Sequence, residues 1–248
     1  MAEIRFCDMS SLGKLRISGT AAHDFIRIMF TADLAAFDEL GSSAAALLLT
    51  GEAQVIDAVV IIRTGDTEYM VTTLASTVDE AYAWLDAHGS ITDDKGPIFE
   101  GLVISNETQG LADLVLFGPG SRAVLDELAG GSLADFAQTG RLTMAQLDTV
   151  VALVFDTPVV PGEAYELFVA PKDLEGLTHA LLSFSQIDPM DYEEYLALRQ
   201  GWGTWFAQGQ NAEYTFPPVA GLMHLVRPSM DFVGGSVLKD LVDAQKDA

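Results

Sequence analysis

Cysteine is almost absent from this sequence, since Cys7 is the only one among 248 residues. A single cysteine excludes an intramolecular disulfide and any metal site that needs several thiolates from one chain. The four histidines are scattered along the chain without the spacing of metal ligands. We therefore predict no metal site, and the cysteine usage favours a cytoplasmic location.

Long apolar runs are missing as well. The longest, residues 55–62, is interrupted by Asp57 and is far too short to cross a bilayer. The first residues, MAEIRFCDMSS, do not resemble a signal peptide. The sequence therefore predicts no membrane-spanning or anchoring segment.

Basic residues are few, because 13 lysines and arginines stand against 36 aspartates and glutamates, a net charge of −23. Such a chain repels phosphate backbones and anionic lipid surfaces, so neither nucleic acid nor a membrane is an expected partner. An anionic ligand would have to be held by local donors against this field.

Familiar catalytic signatures are also missing. The sequence contains no Gly-x-Ser-x-Gly elbow, no P-loop and no His-Glu-x-x-His. Nothing in it indicates nucleophilic or metal catalysis.

The chain does contain a regular succession of short strands and helices. It is 49% hydrophobic and 20% charged, which is enough apolar material for a sizeable core. Residues 12–18 alternate as a strand does, and the spacing across residues 47–72 predicts a three-stranded meander. A similar strand–turn–helix unit begins again at residue 111. These features predict an α+β fold of two similar mixed subdomains with antiparallel sheets. Helices are expected at residues 21–30, 77–88, 122–128, 174–184 and 192–200.

Asp57 is the first candidate functional residue. It lies inside QVIDAVVIIR, a run with strong β-propensity. A carboxylate buried there without partners is costly, and perturbed carboxylates concentrate at functional sites. Two interpretations remain open: Asp57 faces solvent or caps a neighbouring turn, or it is a functional carboxylate.

Glu163 and Glu166 are the next candidates, in the segment PGEAYEL where a turn leads into a strand. A carboxylate at a strand start can accept two parallel hydrogen bonds from a planar donor fork. A guanidinium offers that fork, and so does the aminopyrimidinone edge of a pterin. The alternative is an ordinary solvated turn.

Two weaker features complete the set. The segment GPGS precedes a predicted helix whose first backbone amides can bind an anion, although a cap by Ser121 explains the segment better. A group of aromatic residues either stacks on a flat ligand or packs in the core. Its members are Trp202, Trp205, Phe206, Tyr214 and Phe216.

Five segments, taken in order, carry a resemblance to a known family. Residues 6–34 look like its opening strand–turn–helix, and residues 47–71 like its Gly-Gly-Ile-x-Asp-Asp hairpin. Residues 111–128 match its unit of a leucine-rich strand, Gly-Pro and a helix. Residues 159–171 look like a version of its Tyr-Thr-Gly-Glu segment that is one residue shorter, and residues 217–238 resemble its Pro-x-x-Ala-Gly-Leu and Asp-Phe-x-Gly segments. Together they resemble the folate-binding aminomethyltransferase family, which includes the T-protein of glycine cleavage.

The resemblance implies a cofactor and its contacts. Residues 1–248 would form the folate-binding region from two intertwined subdomains, with no counterpart of the family's C-terminal β-barrel domain. The implied cofactor is tetrahydrofolate or a related folate. Asp57 matches an aspartate placed near the reacting folate nitrogens, which makes it the catalytic candidate. Glu166 matches the glutamate that grips the pterin edge; Tyr165 is taken as a neighbouring cofactor-binding residue, and Thr73 falls near an asparagine that lines the pocket.

The sequence also departs from the family pattern. Ala58 replaces the second aspartate of the pair, and the arginine that helps to hold folate aligns with Tyr192-Glu193-Glu194 and is missing there. Arg199-Gln200-Gly201-Trp202 lacks the cysteine of the branch that maintains iron–sulfur proteins.

The resemblance implies a tetrahydrofolate-dependent transferase of a methyl or aminomethyl group, or a demethylase. The donor would be an amine, a methyl ether or an adduct on a carrier protein. The alternative is a non-catalytic folate-binding protein or a structural subunit that works with a partner protein in a larger complex.

Overall fold

The computed structural model describes residues 4–131, 133, 141–202 and 215–246. Two large sheets and a set of helices make up this part of the chain. Among the described strand pairs, all except β1 (Ile4–Asp8) with β13 (Ile187–Met190) are antiparallel. This confirms the predicted α+β fold.

The first sheet has five strands. They are β2 (Gly13–Ser18), β3 (Ser43–Leu49), β4 (Val55–Gly65), β5 (Glu68–Thr73) and β8 (Val103–Asn106). Their order is β3-β4-β5-β2-β8, so the predicted meander forms one side of this sheet. β4 is rich in valine and isoleucine and is buried along most of its length, which is typical of a strand covered on both faces.

The second sheet has six strands. Besides β1 and β13 they are β9 (Ala112–Phe117), β10 (Thr143–Leu147), β11 (Val150–Asp156) and β12 (Ala164–Val169). Their order is β10-β11-β12-β9-β1-β13. A small hairpin, β6 (Thr92–Asp93) with β7 (Gly96–Pro97), stands apart from both sheets.

The predicted helices are present, each within two residues of its expected ends. They are α1 (Ala22–Met29), α2 (Val78–Gly89), α3 (Ser121–Leu128), α4 (Leu174–Leu182) and α5 (Tyr192–Gly201). Two further helices follow, α6 (Pro217–Ala220) and α7 (Gly235–Lys246). Short 3₁₀ turns occupy Leu34–Phe37, Pro171–Asp173 and Met223–Leu225.

The two sheets pack face to face, and helices cover the outer face of each. α1 and α2 cover the five-stranded sheet, whereas α3 and α4 cover the six-stranded sheet. Between the sheets lies an apolar cluster that we call the intersheet layer. It contains Cys7 and Val115 from the six-stranded sheet, Val60 and Met70 from the five-stranded sheet, and Tyr195 from α5. A side chain on the inner face of either sheet is therefore withdrawn from water.

Arg227 attaches the segment before α7 to the end of α1. It is 7% exposed. Its guanidinium donates hydrogen bonds to the carbonyl oxygens of Arg27, Phe30 and Ala32 at 2.6, 2.6 and 2.9 Å. Its Nε also donates to Asp231 Oδ1 at 2.7 Å. Because these acceptors lie in and just after the last turn of α1, the arginine supplies donors that the helix end lacks.

In the described ranges, every helix is too short or too polar to cross a membrane.

Replacing Arg227 with lysine should lower the free energy of unfolding by about 3 kcal/mol, because an ammonium group cannot reproduce the planar fork and leaves buried carbonyls unpaired. Urea unfolding measures the loss. Arg27→Lys is the matched control, since Arg27 makes an exposed ion pair with the same Asp231 at 3.2 Å and should cost less than about 1 kcal/mol. Equal losses in the two variants would contradict this role for Arg227.

Candidate functional site

Asp57 lies at an irregularity in β4. It pairs with Leu48, but the next pair joins Leu49 to Val55, so the register shifts by one residue at this point. Such bulges redirect side chains and are frequent beside active sites. Here Asp57 meets the end of β5, where the chain turns into α2.

Asp57 is 1% exposed and accepts three hydrogen bonds. Oδ1 accepts from the Ala58 amide at 2.7 Å, and Oδ2 accepts from the Leu74 amide at 2.8 Å and the Thr77 hydroxyl at 2.5 Å. Burial raises the pKa of Asp57 to about 6, against these hydrogen bonds and the positive charge of Arg199. The carboxyl group therefore titrates close to neutrality, a property that concentrates at functional sites.

Glu166 points into the intersheet layer. Its strand neighbours Ala164 and Phe168 belong to that layer, and residues two apart on a strand share a face. Oε1 accepts a hydrogen bond from the Thr157 hydroxyl, whereas Oε2 has no hydrogen-bond partner in the described part of the chain. Burial raises the pKa of this carboxyl group as well.

Glu163, the other glutamate of the segment, has a structural task. Its two carboxylate oxygens accept from the amides of Gly120 at 3.0 Å and Arg122 at 2.5 Å, at the start of α3. Gly120 has φ +93° as the N-cap, and Ser121 donates to the Gly118 carbonyl instead of capping the helix. The protein's own carboxylate thus fills the helix start that the sequence marked as a weak anion site.

Arg199 connects the two predicted carboxylates. It lies on α5 and is 4% exposed. Its positive charge lowers the pKa of both Asp57 and Glu166, so both lie near the same guanidinium. The arginine that the resemblance implies would fall at Glu193, the middle residue of Tyr192-Glu193-Glu194, and is missing there. The structure instead buries an arginine later on the same helix, at Arg199, which the motif alignment did not indicate.

Asp113 and Lys14 are two further buried charges that the sequence analysis missed. Asp113 shares the inner face of β9 with Val115 and is 0% exposed. Neither of its carboxylate oxygens has a hydrogen-bond partner among the described residues. Lys14, also 0% exposed, donates from Nζ to the carbonyl oxygens of Ser10 and Leu12, both at 2.9 Å.

The charges of these residues act on one another. Burial raises the pKa of Asp113 well above its ordinary value, the charge of Glu166 raises it further, and Lys14 opposes the shift. Burial lowers the pKa of Lys14, and Asp113 opposes that shift. Asp113 was overlooked because its strand matched a leucine-rich pattern. Lys14 was overlooked because a lysine in an alternating strand indicates a solvent-facing position.

The other two predicted site residues are placed differently. Tyr165 precedes Glu166 on β12 and so points to the opposite face, where it packs with Leu167 beneath the outer helices. The structure does not bring Tyr165 to the carboxylate of Glu166. Thr73 ends β5, is 2% exposed and donates to the Leu74 carbonyl at 3.3 Å, so it borders Asp57 through the backbone.

Of the predicted aromatic group, Trp202 packs against the intersheet layer. Its ring meets Phe117 edge-on, with 5.8 Å between ring centroids and 86° between planes. Trp205, Phe206 and Tyr214 lie outside the described residues. The contact of Trp202 is therefore a packing contact.

The buried charges form one cluster with an excess of acceptors. In the described part of the chain, all buried charged side chains except Arg227 belong to it. Its carboxylates outnumber its cations by one, and three of its carboxylate oxygens have no donor among the residues described. Buried acceptors are nearly always hydrogen-bonded in native proteins, so this cluster suits a ligand rich in N–H groups. The members are Lys14, Asp57, Asp113, Glu166 and Arg199.

Comparisons with known proteins agree with the motifs. The GCVT N-terminal domain matches residues 2–227. The aminomethyltransferase of Staphylococcus epidermidis is 24% identical over 237 residues, which cover 94% of this chain and 62% of that protein. The aminomethyltransferase of Geobacillus kaustophilus is 25% identical over 250 residues, with the same two shares, 94% and 62%.

The fold is shared with a solved structure. The glycine cleavage system aminomethyltransferase T from Bartonella henselae superposes with a TM-score of 0.74 at 18% identity, over 98% of this chain and 64% of that chain. This chain therefore spans less than two thirds of the length of these relatives. Since the match to the family covers most of its residues, the chain belongs to the GCVT N-terminal domain family.

Proposed function

We propose that this chain binds tetrahydrofolate and takes part in the transfer of a methyl or aminomethyl group. The observation that carries the proposal is the buried Oε2 of Glu166, which accepts no hydrogen bond from any residue that the structure describes. Glu166 and Asp57 share Arg199 as a neighbour, since the charge of Arg199 lowers the pKa of both carboxyl groups.

The residues present fit a pterin. Thr157 holds one oxygen of Glu166, which leaves the other oriented and available. The aminopyrimidinone edge offers parallel N–H donors of the kind that a carboxylate accepts best. A ligand donor would remove the cost of a buried acceptor without a partner.

Bound tetrahydrofolate supplies the amine that accepts or releases a one-carbon unit. Asp57 is suited to stabilise positive charge that develops on that amine, because with a pKa of about 6 it is mostly ionised at neutral pH. Its three hydrogen bonds fix the carboxylate before the reaction, so little reorganisation is needed. Arg199 favours the ionised forms of both carboxylates.

The identity of the donor is a further part of the proposal. A methylated amine, a methyl ether and an adduct on a carrier protein all suit the same folate chemistry, and a demethylase is included. Ala58, where the family pattern has a second aspartate, favours a divergent activity. A partner protein that presents the donor is included in the proposal.

Glu166→Gln should weaken tetrahydrofolate binding at least about tenfold, because a charge-assisted hydrogen bond contributes about 1.5–3 kcal/mol. Isothermal titration calorimetry under anaerobic conditions measures the affinity. Glu163→Gln is the matched control: it removes the same charge three residues away, and should leave the affinity within about twofold while it weakens the cap of α3 by about 1 kcal/mol. No measurable folate binding by the wild type, or an equal loss in both variants, contradicts the proposal.

The hydrogen bond from Thr77 should set the pH range in which Asp57 acts. In wild type, the ¹³C carboxyl resonance of Asp57 should titrate with a midpoint of about 6. Thr77→Val should raise that midpoint by about one unit, since it removes a bond to the charged form. Thr73→Val is the control, because the Thr73 hydroxyl donates to the Leu74 carbonyl and not to Asp57. A wild-type midpoint near 4, or no difference between the two variants, contradicts this account of Asp57.

Asp57→Asn should reduce the rate of one-carbon transfer about 100-fold, as the loss of one preorganised electrostatic group does. Its folate affinity should stay within about threefold of wild type. The assay measures the rate at which tetrahydrofolate receives a one-carbon unit from methylated amines, methyl ethers or aminomethylated carrier proteins. Folate binding without turnover for any donor class favours the non-catalytic alternative.

A further inference from the structure

Asp113 and Glu166 are neighbours on one face of the six-stranded sheet. β9 and β12 are antiparallel, with Asp113 opposite Phe168 and Val115 opposite Glu166. The two acidic residues are therefore diagonal neighbours, with about 7 Å between their Cα atoms. Both side chains point into the intersheet layer.

Lys14 does not satisfy Asp113. The Lys14 ammonium donates two hydrogen bonds to the Ser10 and Leu12 carbonyls, and among the described residues it makes no ion pair with Asp113. Within the described ranges, both oxygens of Asp113 are without a donor although the side chain is 0% exposed. A fully buried carboxyl group without a hydrogen-bond partner is costly in either protonation state, so it is not a neutral packing choice.

Asp113 also interrupts the apolar run of its own strand. Its neighbours along β9 are Ala112 and Leu114, which face the outer core, and Val115. A leucine or valine at residue 113 would pack on the inner face without the desolvation cost of a carboxyl group. The carboxyl group of Asp113 therefore suits a ligand whose N–H donors lie next to those that bind Glu166.

We propose that Asp113 is a second ligand-binding carboxylate beside Glu166, which accepts the N8–H of a reduced pterin and makes the site selective for tetrahydrofolate over folic acid. This inference rests on the proposed function. The pyrimidine edge of the ring offers its N–H groups to Glu166. The neighbouring edge carries an N–H at N8 only in the reduced ring, because in folic acid N8 is an unprotonated nitrogen whose lone pair repels a carboxylate.

A site built to accept a ligand N–H discriminates strongly against an analogue that lacks it, because the site's buried polar group is then left unpaired. Proton release offers a second readout. Before binding, Glu166 and burial both favour the protonated form of Asp113. Ligand donors favour the ionised form, so binding of the reduced ring should release up to about one proton.

The experiment is isothermal titration calorimetry of tetrahydrofolate and folic acid, under anaerobic conditions and in two buffers of different ionisation enthalpy. Wild type should release more protons with tetrahydrofolate than with folic acid, because both ligands donate to Glu166 but only the reduced ring donates to Asp113. Asp113→Asn keeps the side-chain volume and should weaken tetrahydrofolate binding at least about tenfold, change folic acid binding by less than about threefold, and abolish this difference in proton release.

Asp8→Asn is the matched control. Asp8 also raises the pKa of Asp113, but it is exposed and its Oδ1 accepts from the Ser10 amide, a bond that asparagine retains. Both affinities should stay within about twofold in this variant.

Three results overturn the inference. These are tetrahydrofolate binding by Asp113→Asn as tight as in wild type, an equal loss of both ligands in that variant, and equal proton release with both ligands in wild type. The last comparison needs no variant, so it decides even where Asp113→Asn does not fold. If wild type binds folate and Glu166→Gln weakens it while Asp113 has no effect, only this inference fails. If wild type binds no folate, the proposed function fails with it.

Discussion

Carboxylates that lose water need donors, and the residues that the structure describes provide none for three buried carboxylate oxygens: both of Asp113 and Oε2 of Glu166. Arg199 and Lys14 provide countercharge, but Lys14 gives its hydrogen bonds to carbonyl groups. The sheets thus enclose a site with more acceptors than donors. The facing sheets exclude water from these oxygens, and helices cover the outer face of each sheet.

Burial of these carboxyl groups makes the folded state sensitive to pH. Asp57 has a pKa of about 6 in the folded protein against 3.8 as its ordinary value, so the folded state binds more protons than the unfolded chain between these values. Its contribution to stability is fully present below about pH 4 and is lost as the pH rises through 6, a difference of about 3 kcal/mol. Burial shifts Asp113 and Glu166 in the same direction. The burial of these carboxyl groups therefore lowers the stability of the folded state at neutral pH.

The sequence predicted much of the fold and only part of the site. Hairpin spacing located the meander, and helix periodicity located five helices, because both depend on local patterns. Asp57 and Glu166 were identifiable since each is a carboxylate in a strand-forming run. Asp113 was not, because only the second sheet, which packs through long-range contacts, turns the inner face of β9 into a buried one. That Tyr165 and Glu166 point to opposite faces of the sheet could have been predicted from the sequence, since consecutive residues on a strand face opposite sides.

A crystal structure of the protein with bound tetrahydrofolate tests the central claim most directly. The account predicts pteridine density whose N–H groups lie within hydrogen-bond distance of Glu166 Oε2, and no donor from the protein on that atom. Density for a side chain or a complete set of ordered waters on the free oxygens of Glu166 and Asp113, with folate elsewhere, would contradict it.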